Sequence, residues 1–175
     1  MKFIATKLKG AWIVEPEPHG DARGFFARTF CAREFEANGL ATTFAQCSVS
    51  LNRARGTLRG LHLQIAPACE AKLVRCTSGA LYDVIVDLRP DSPTFLQHLG
   101  VELTARNRRA LYIPEMFAHG FQTLEDDTEV FYQISEFYAP ELARGLRSDD
   151  PKLGIQWPLP IATISDKDRN WPLLS

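Results

Sequence analysis

Gly56-Thr57-Leu58-Arg59-Gly60-Leu61-His62-Leu63-Gln64 is the stretch on which the fold turns. Glycines bracket a short run there, so the backbone can turn or approach another segment closely. Read as a strand, it puts Leu58, Gly60, His62 and Gln64 on one face and Arg59, Leu61 and Leu63 on the other. A histidine on an inward strand face, beside a glycine that leaves room, is placed to act as a catalytic base. The ordinary alternative is a core histidine satisfied by its neighbours.

Outward from this stretch, short apolar runs follow one another with turns between them. Leu81-Tyr82-Asp83-Val84-Ile85-Val86-Asp87-Leu88 is the clearest strand, with Tyr82, Val84, Val86 and Leu88 on one face and Asp83 and Asp87 on the other. Arg89-Pro90-Asp91-Ser92-Pro93 ends it. Residues 99–104, 110–113, 120–124 and 128–135 read as further strands. Upstream, residues 3–14 read as two short strands broken at Lys9-Gly10. Residues 15–21 read as a proline-rich loop carrying an exposed His19, and residues 23–26 return to extended structure. Residues 31–38 are the best helix candidate, with Gly39 as its stop. Many short strands with turn signals between them mean an all-β sandwich or barrel, not a βαβ fold. From Pro140 the chain turns polar and turn-rich. We expect a single domain over residues 1–175, with that tail wrapped on the barrel as loop and short helical turns.

The totals exclude several functions. The chain has 175 residues, 45% hydrophobic and 23% charged, ordinary for one soluble globular domain. A formal net charge of −1 with scattered Lys and Arg argues against nucleic acid or a membrane surface as partner. No apolar run is long enough to span a bilayer, and the start is too soon charged for a signal peptide. The four cysteines form no CxxC pair, so they are expected to be free thiols in a reducing cytoplasm. No GxGxxG or P-loop offers a nucleotide-binding helix terminus.

Three titratable groups are candidates for one interior. His62 is joined by Lys72, on a strand face with Val74 and Cys76, and by Tyr132, on a face with Val130 and Ile134. A buried ammonium is costly without a partner. A lysine at a barrel edge that snorkels to water is the plainer reading, as is a tyrosine packed with its hydroxyl at the rim. Together the three make a proton-transfer set. A neutral histidine takes a proton from a carbon next to a carbonyl, and a lysine cation stabilises the enolate oxygen. A tyrosine returns a proton from the other side. Removal from one face and return to the other is epimerisation. A metal reading competes. His62, Gln64, Glu70 and His119 resemble the cupin metal pattern, but Gln64 stands where a second histidine is expected, and an amide oxygen is a poorer ligand for such metals. We therefore expect no metal and no cofactor.

The motifs Gly56-Thr57-Leu58-Arg59-Gly60-Leu61-His62, Ala71-Lys72-Leu73-Val74-Arg75, Tyr82-Asp83-Val84-x2-Asp87-Leu88-Arg89, Pro114-x2-Phe117-Ala118-His119-Gly120-Phe121 and Tyr132-x5-Tyr138-x-Pro140-Glu141 resemble the dTDP-4-dehydrorhamnose 3,5-epimerase family. The resemblance runs in order from Asp21-x-Arg23-Gly24 to Ser165-Asp166-Lys167-Asp168. It implies a cupin-type jelly roll with a few short helices, acting without metal on a nucleotide-diphosphate sugar. It also implies a homodimer whose N-terminal strands cross between subunits. By resemblance His62 is the base, held by Asp168, with Asp83 as a second candidate for that partner. Tyr132 matches the acid and Lys72 the enolate-stabilising cation. Arg59 and His119 match residues near the sugar and phosphates. Arg23, Gln46 and Lys167 match further substrate contacts, and Tyr138 the aromatic that stacks on the base. Arg28, Cys47, Ser48 and Ala143 depart from the family pattern in the substrate-contacting shell, where Arg28 and Ser48 are kept as substrate-binding candidates. The reaction implied is epimerisation of a 4-keto-6-deoxy sugar at C3, C5 or both. The alternatives are a one-carbon epimerase, a ketoisomerase using another nucleotide, a metal-dependent cupin and a sugar-binding cupin.

Overall fold

In the computed structural model, which describes residues 1–174, the chain forms thirteen strands and two short helices. In chain order these are β1 (Lys2–Ala5), β2 (Trp12–Glu15), β3 (His19–Asp21), β4 (Gly24–Phe26), α1 (Ala32–Ala37), β5 (Gln46–Asn52), β6 (Leu58–Gln64) and β7 (Lys72–Ser78). There follow β8 (Ala80–Asp87), β9 (His98–Thr104), β10 (Ala110–Ile113), β11 (Phe117–Thr123), β12 (Thr128–Ile134), β13 (Ala143–Gly145) and α2 (Asp166–Arg169). The stretch 56–64 read as a strand contains β6, which begins at Leu58, and the helix expected at 31–38 is α1, with Gly39 at φ +68° just past its end.

Two antiparallel sheets stack face to face as a cupin-type jelly roll. The six-stranded sheet runs β1-β2-β10-β7-β12-β5 and the five-stranded sheet runs β13-β6-β11-β8-β9. The core between them is built from Val74, Cys76, Leu81, Ile85, Leu103, Leu111, Ile113, Phe117, Phe121 and Val130. Burying each large apolar side chain of this kind contributes about 1.5–3 kcal/mol. One end of the sandwich is left open to solvent, and the site lies there.

Both outer faces are covered as well. On the six-stranded side, Phe35 of α1 packs edge-on against Phe3, Phe30, Phe44 and Tyr112. On the five-stranded side, Leu153, Ile155 and Trp157 cover Leu61, Leu63, Val84 and Val86. That is why β8 is buried on both faces although its sequence alternates apolar and acidic residues. The tail is pinned by backbone partners. Trp157 Nε1 donates to the Ser148 carbonyl at 2.8 Å, and the Leu174 N–H donates to Asp150 Oδ2 at 2.6 Å. Between these two ties it crosses to β6, where the Leu58 N–H donates to the Thr163 carbonyl at 2.8 Å, and delivers α2 to the open end.

Two expectations are corrected. The segment read as a loop at 15–21 ends in β3, which pairs with β4 as an exposed hairpin; His19 is in that strand. Strand β11 begins at Phe117 rather than 120, because the Pro114-x2 turn ends sooner than its composition suggests.

Candidate active site

The site begins with an irregularity in β6. Opposite β11, His62 pairs with His119 and Arg59 with Phe121, so three residue steps on β6 face two on β11. Gly60 occupies the extra step at φ +111°. A Cβ there would lie 2.6 Å from Gly120 Cα and 2.7 Å from the His119 carbonyl oxygen. Only glycine fits such a close approach with that backbone angle. The bulge overturns the simple alternation read from sequence. Arg59 was expected on the face opposite His62, yet both line one cavity of about 630 Å³. Leu61 packs outward under the tail as expected, while Leu63 packs there and also borders the cavity.

His62 is 45% exposed on its side chain, so a ligand in the cavity can reach it. Its Nε2 lies 2.6 Å from Asp168 Oδ1. Asp168 Oδ2 accepts from the Gly60 N–H at 3.1 Å, and Ser165 Oγ caps α2 by accepting from the Asp168 N–H at 3.1 Å. Burial alone would raise the Asp168 carboxyl. The hydrogen bonds from His62 and Gly60 outweigh it and hold the group below the ordinary aspartate value. An ionised carboxylate only accepts, so Nε2 carries the proton and Nδ1 is left as the free basic nitrogen. Asp83, the second candidate for this partnership, is elsewhere engaged: its Oδ1 lies 2.6 Å from His119 Nε2, on β8 beside β11.

Lys72 and Tyr132 come from the other sheet, on β7 and β12. Lys72 is not a snorkelling edge residue; it is 8% exposed. Its ammonium lies 2.9 Å from Glu70 Oε1 and donates to the His62 carbonyl at 3.4 Å. Tyr132 packs edge-on to the His119 ring, 6.2 Å between centroids. Burial first, and the charge of Asp83 second, push its phenol well above the usual tyrosine value, while Arg59 pulls the other way. The phenol therefore stays protonated throughout the ordinary pH range.

The remaining candidates divide. Gln46, Ser48, Arg59, His119, Tyr138 and Lys167 line the same cavity as His62, Lys72, Tyr132 and Asp168. Arg59 Nε donates to Asn52 Oδ1 at 2.6 Å, and Gln46 Oε1 accepts from the Tyr138 N–H at 2.8 Å, which fixes the loop after β12 at the cavity mouth. Arg23 and Arg28 are not brought there. Arg23 pairs with Asp21 in the hairpin and Arg28 with Glu34 on α1, at 2.5 and 3.2 Å. Of the departures from the family pattern, Ser48 and Ala143 line the cavity, while Arg28 and Cys47 do not. The groups of the metal reading are each engaged differently. Gln64 donates to the Ala68 and Phe137 carbonyls and accepts from the Ala139 N–H, so its amide is a loop clamp. Among the described residues no three His, Cys, Asp or Glu side chains converge as a ligand set.

Sequence reasoning missed Arg144 and Trp171, which line the cavity. Trp171 packs on Gly145, where any Cβ would collide with its ring, and the Lys167 ammonium sits 5.6 Å from the ring centroid. An aromatic two residues beyond α2 was the available signal; nothing local tied it to β13.

The profile of the dTDP-4-dehydrorhamnose 3,5-epimerase family matches residues 5–175. The dTDP-4-dehydrorhamnose 3,5-epimerase of Methanothermobacter thermautotrophicus is 47% identical over 97% of this chain and 92% of its own length. The crystal structure of the Bacillus anthracis enzyme of that name, with TDP and pyrophosphate bound, is 44% identical and superposes with a TM-score of 0.95 over 99% of both chains. A 3′-monoepimerase from Streptomyces bikiniensis, in complex with dTDP-quinovose, is 36% identical with a TM-score of 0.89 over 97% of this chain and 86% of its own.

Proposed function

The chain belongs to the dTDP-4-dehydrorhamnose 3,5-epimerase family, and from that premise we propose that it is an isomerase converting dTDP-4-dehydro-6-deoxy-D-glucose to dTDP-4-dehydro-L-rhamnose. The observation that carries the mechanism is the split of the candidate groups between two sheets. The His62–Asp168 pair faces the cavity from the five-stranded side, and Lys72 and Tyr132 face it from the six-stranded side. A sugar ring held between the sheets has a base on one face and an acid on the other.

The 4-keto group acidifies the hydrogens on C3 and C5. His62 Nδ1 takes one of these protons; the C–H electron pair becomes the enolate, with the negative charge on the carbonyl oxygen. Asp168 stabilises the resulting imidazolium through its bond to Nε2. Lys72 stabilises the enolate oxygen, a contribution that typically amounts to a hundredfold or more in rate. Tyr132 then gives its phenolic proton to the opposite face of the carbon; the His62 imidazolium releases its proton to solvent and the phenolate takes one up, which restores both groups. Because burial and the charge of Asp83 disfavour the phenolate, Tyr132 stays protonated and does not compete with His62 for the first proton. Repeating the cycle after the ring turns inverts the second carbon.

A one-carbon epimerase is the second reading, supported by the likeness to the Streptomyces bikiniensis 3′-monoepimerase. Incubation with dTDP-4-dehydro-6-deoxy-D-glucose in deuterated water separates the two. The proposed reaction leaves deuterium at both C3 and C5, a one-carbon enzyme leaves it at one, and no incorporation with no product refutes both.

We place the enzyme in the cytoplasm, where its free cysteines fit a reducing medium. No helix among the described residues is long and apolar enough to cross a membrane. The proposed assembly is a homodimer with crossed N-terminal strands. Edge strands β1 and β5 bound the six-stranded sheet, and Phe26, Val49 and Leu51 are 77%, 60% and 50% exposed. Apolar exposure beside open strand edges is what a second copy would cover. Such exchange is also a route by which Arg23 and Arg28 reach a cavity, the partner's rather than their own.

A further inference from the structure

We propose that Glu70 is a positioning residue for this reaction, keeping Lys72 charged and aimed at the developing enolate; the inference rests on the epimerase reading above. Glu70 stands in the turn before β7, two residues from Lys72. Ala71 between them points the other way, into the cluster under α1. The entry to β7 is fixed on both sides of Ala71, whose N–H donates to Ser135 Oγ at 2.8 Å and whose carbonyl accepts from the Ser135 N–H at 2.9 Å. Glu70 is thereby held on the cavity side, its Oε1 2.9 Å from the Lys72 ammonium, with the two side chains 9% and 10% exposed.

The charges around Lys72 show why this carboxylate matters. Arg59 and His62 on β6, His119 on β11, Tyr132 on β12, Glu136 beyond it, Arg144 on β13, and Lys167 and Asp168 on α2 line the same cavity. Asp168 is committed to His62 and Gly60, and Glu136 Oε1 accepts from the Phe137 N–H. Among the described residues Glu70 is the acid paired with Lys72. An ammonium this buried, sharing its cavity with a guanidinium and imidazoles, is costly unless a carboxylate lies beside it. A neutral amine cannot stabilise an enolate as a cation does. The geometry is also directional. Of three N–H bonds on the ammonium, one meets Glu70 and one the His62 carbonyl, which leaves the third for a substrate oxygen.

The alternative is that Glu70 only fills space. Glu70→Gln separates the two, since it keeps the size and an acceptor oxygen but removes the charge. The readout is deuterium incorporation from solvent into dTDP-4-dehydro-6-deoxy-D-glucose, followed as kcat and KM across pH in the parent, Glu70→Gln and Glu70→Asp. The alkaline limb of kcat is expected to move to lower pH by about one unit or more in Glu70→Gln, on the scale of a lost opposite charge. KM should stay within about twofold, because the loss falls on a charge that forms in the transition state. Glu70→Asp should recover part of the shift. An unmoved alkaline limb in a folded Glu70→Gln that binds dTDP as the parent does would overturn the role of Glu70 and leave the epimerase reading standing. A parent protein without exchange would refute the epimerase reading, and the role of Glu70 with it.

Discussion

Asp168→Asn changes almost no volume and removes one charge, yet it should cost roughly 10²- to 10⁴-fold in kcat. In the parent, Oδ1 accepts from His62 Nε2 at 2.6 Å and Oδ2 accepts from the Gly60 N–H at 3.1 Å. Asparagine has one acceptor oxygen and one NH2 group. If its oxygen stays on His62, its NH2 meets the Gly60 N–H, donor against donor, in a buried place. If its oxygen turns to Gly60, its NH2 donates to His62 Nε2. That orientation avoids an unsatisfied buried donor, by about 1–3 kcal/mol. It also forces the proton onto Nδ1, the nitrogen that should take the substrate proton. Whatever fraction escapes this trap loses the charge-assisted bond to the imidazolium, roughly another 1.5–3 kcal/mol. The sum is about 2.5–6 kcal/mol, and each 1.4 kcal/mol or so is tenfold in rate. Asp168→Ala gives no such instruction to the imidazole and should retain more activity than Asp168→Asn. The assay is solvent deuterium exchange into substrate alongside epimer formation, with urea unfolding to confirm a stable fold. Asp168→Asn within tenfold of the parent would refute the tautomer argument.

Other outcomes follow from the same structure. Gly60→Ala should destabilise by about 2–6 kcal/mol, from the positive φ and the collision with β11, and a urea midpoint near the parent's would contradict the bulge. Lys72→Ala should lose exchange and epimerisation together, roughly a hundredfold to a thousandfold, while dTDP binding measured by calorimetry changes little. Burial would raise the Asp87 carboxyl, but Arg89, Ser92 and Thr94 donate to it and depress it far below the ordinary value. Its stabilisation is present above the unfolded value near 3.8 and is lost as pH falls below that. Asp87→Asn should therefore cost about 3–5 kcal/mol at pH 7 and flatten the acid limb of stability; equal slopes below pH 4 would refute this. Leu51→Glu on the exposed face of β5 should convert the proposed dimer to monomer in sedimentation, and an unchanged mass would place the interface elsewhere.

Much of this was legible in the sequence where one periodicity governed one element. β6, β10 and α1 fall where alternation, a glycine stop and a short apolar run put them, and Lys72 keeps the strand face it shares with Val74 and Cys76. What could not be read are relations between elements. Arg59 joins His62 in the cavity because Gly60 breaks the alternation, and the break is set by the close approach of Gly120 on β11. Asp83 stood as a second candidate beside Asp168 for His62, since which carboxylate reaches which imidazole depends on where the tail crosses β6. The pairing of Glu70 with Lys72 was adjacent in sequence but hidden by the resemblance of Glu70 to a metal ligand. Arg23 and Arg28 lie outside the cavity of their own chain, and no pattern within one chain reveals the partner that would receive them.

The central claim is that the base and the acid address opposite faces of one sugar ring, and Tyr132→Phe in deuterated water tests it most directly. Without the phenol, His62 still removes the proton and Lys72 still holds the enolate, so the proton can return only from His62 to its original face. The account predicts deuterium washing into unreacted dTDP-4-dehydro-6-deoxy-D-glucose at C3 or C5 while epimer formation nearly stops. Epimer produced by Tyr132→Phe at close to the parent rate would contradict it and pass the acid to another group or to water.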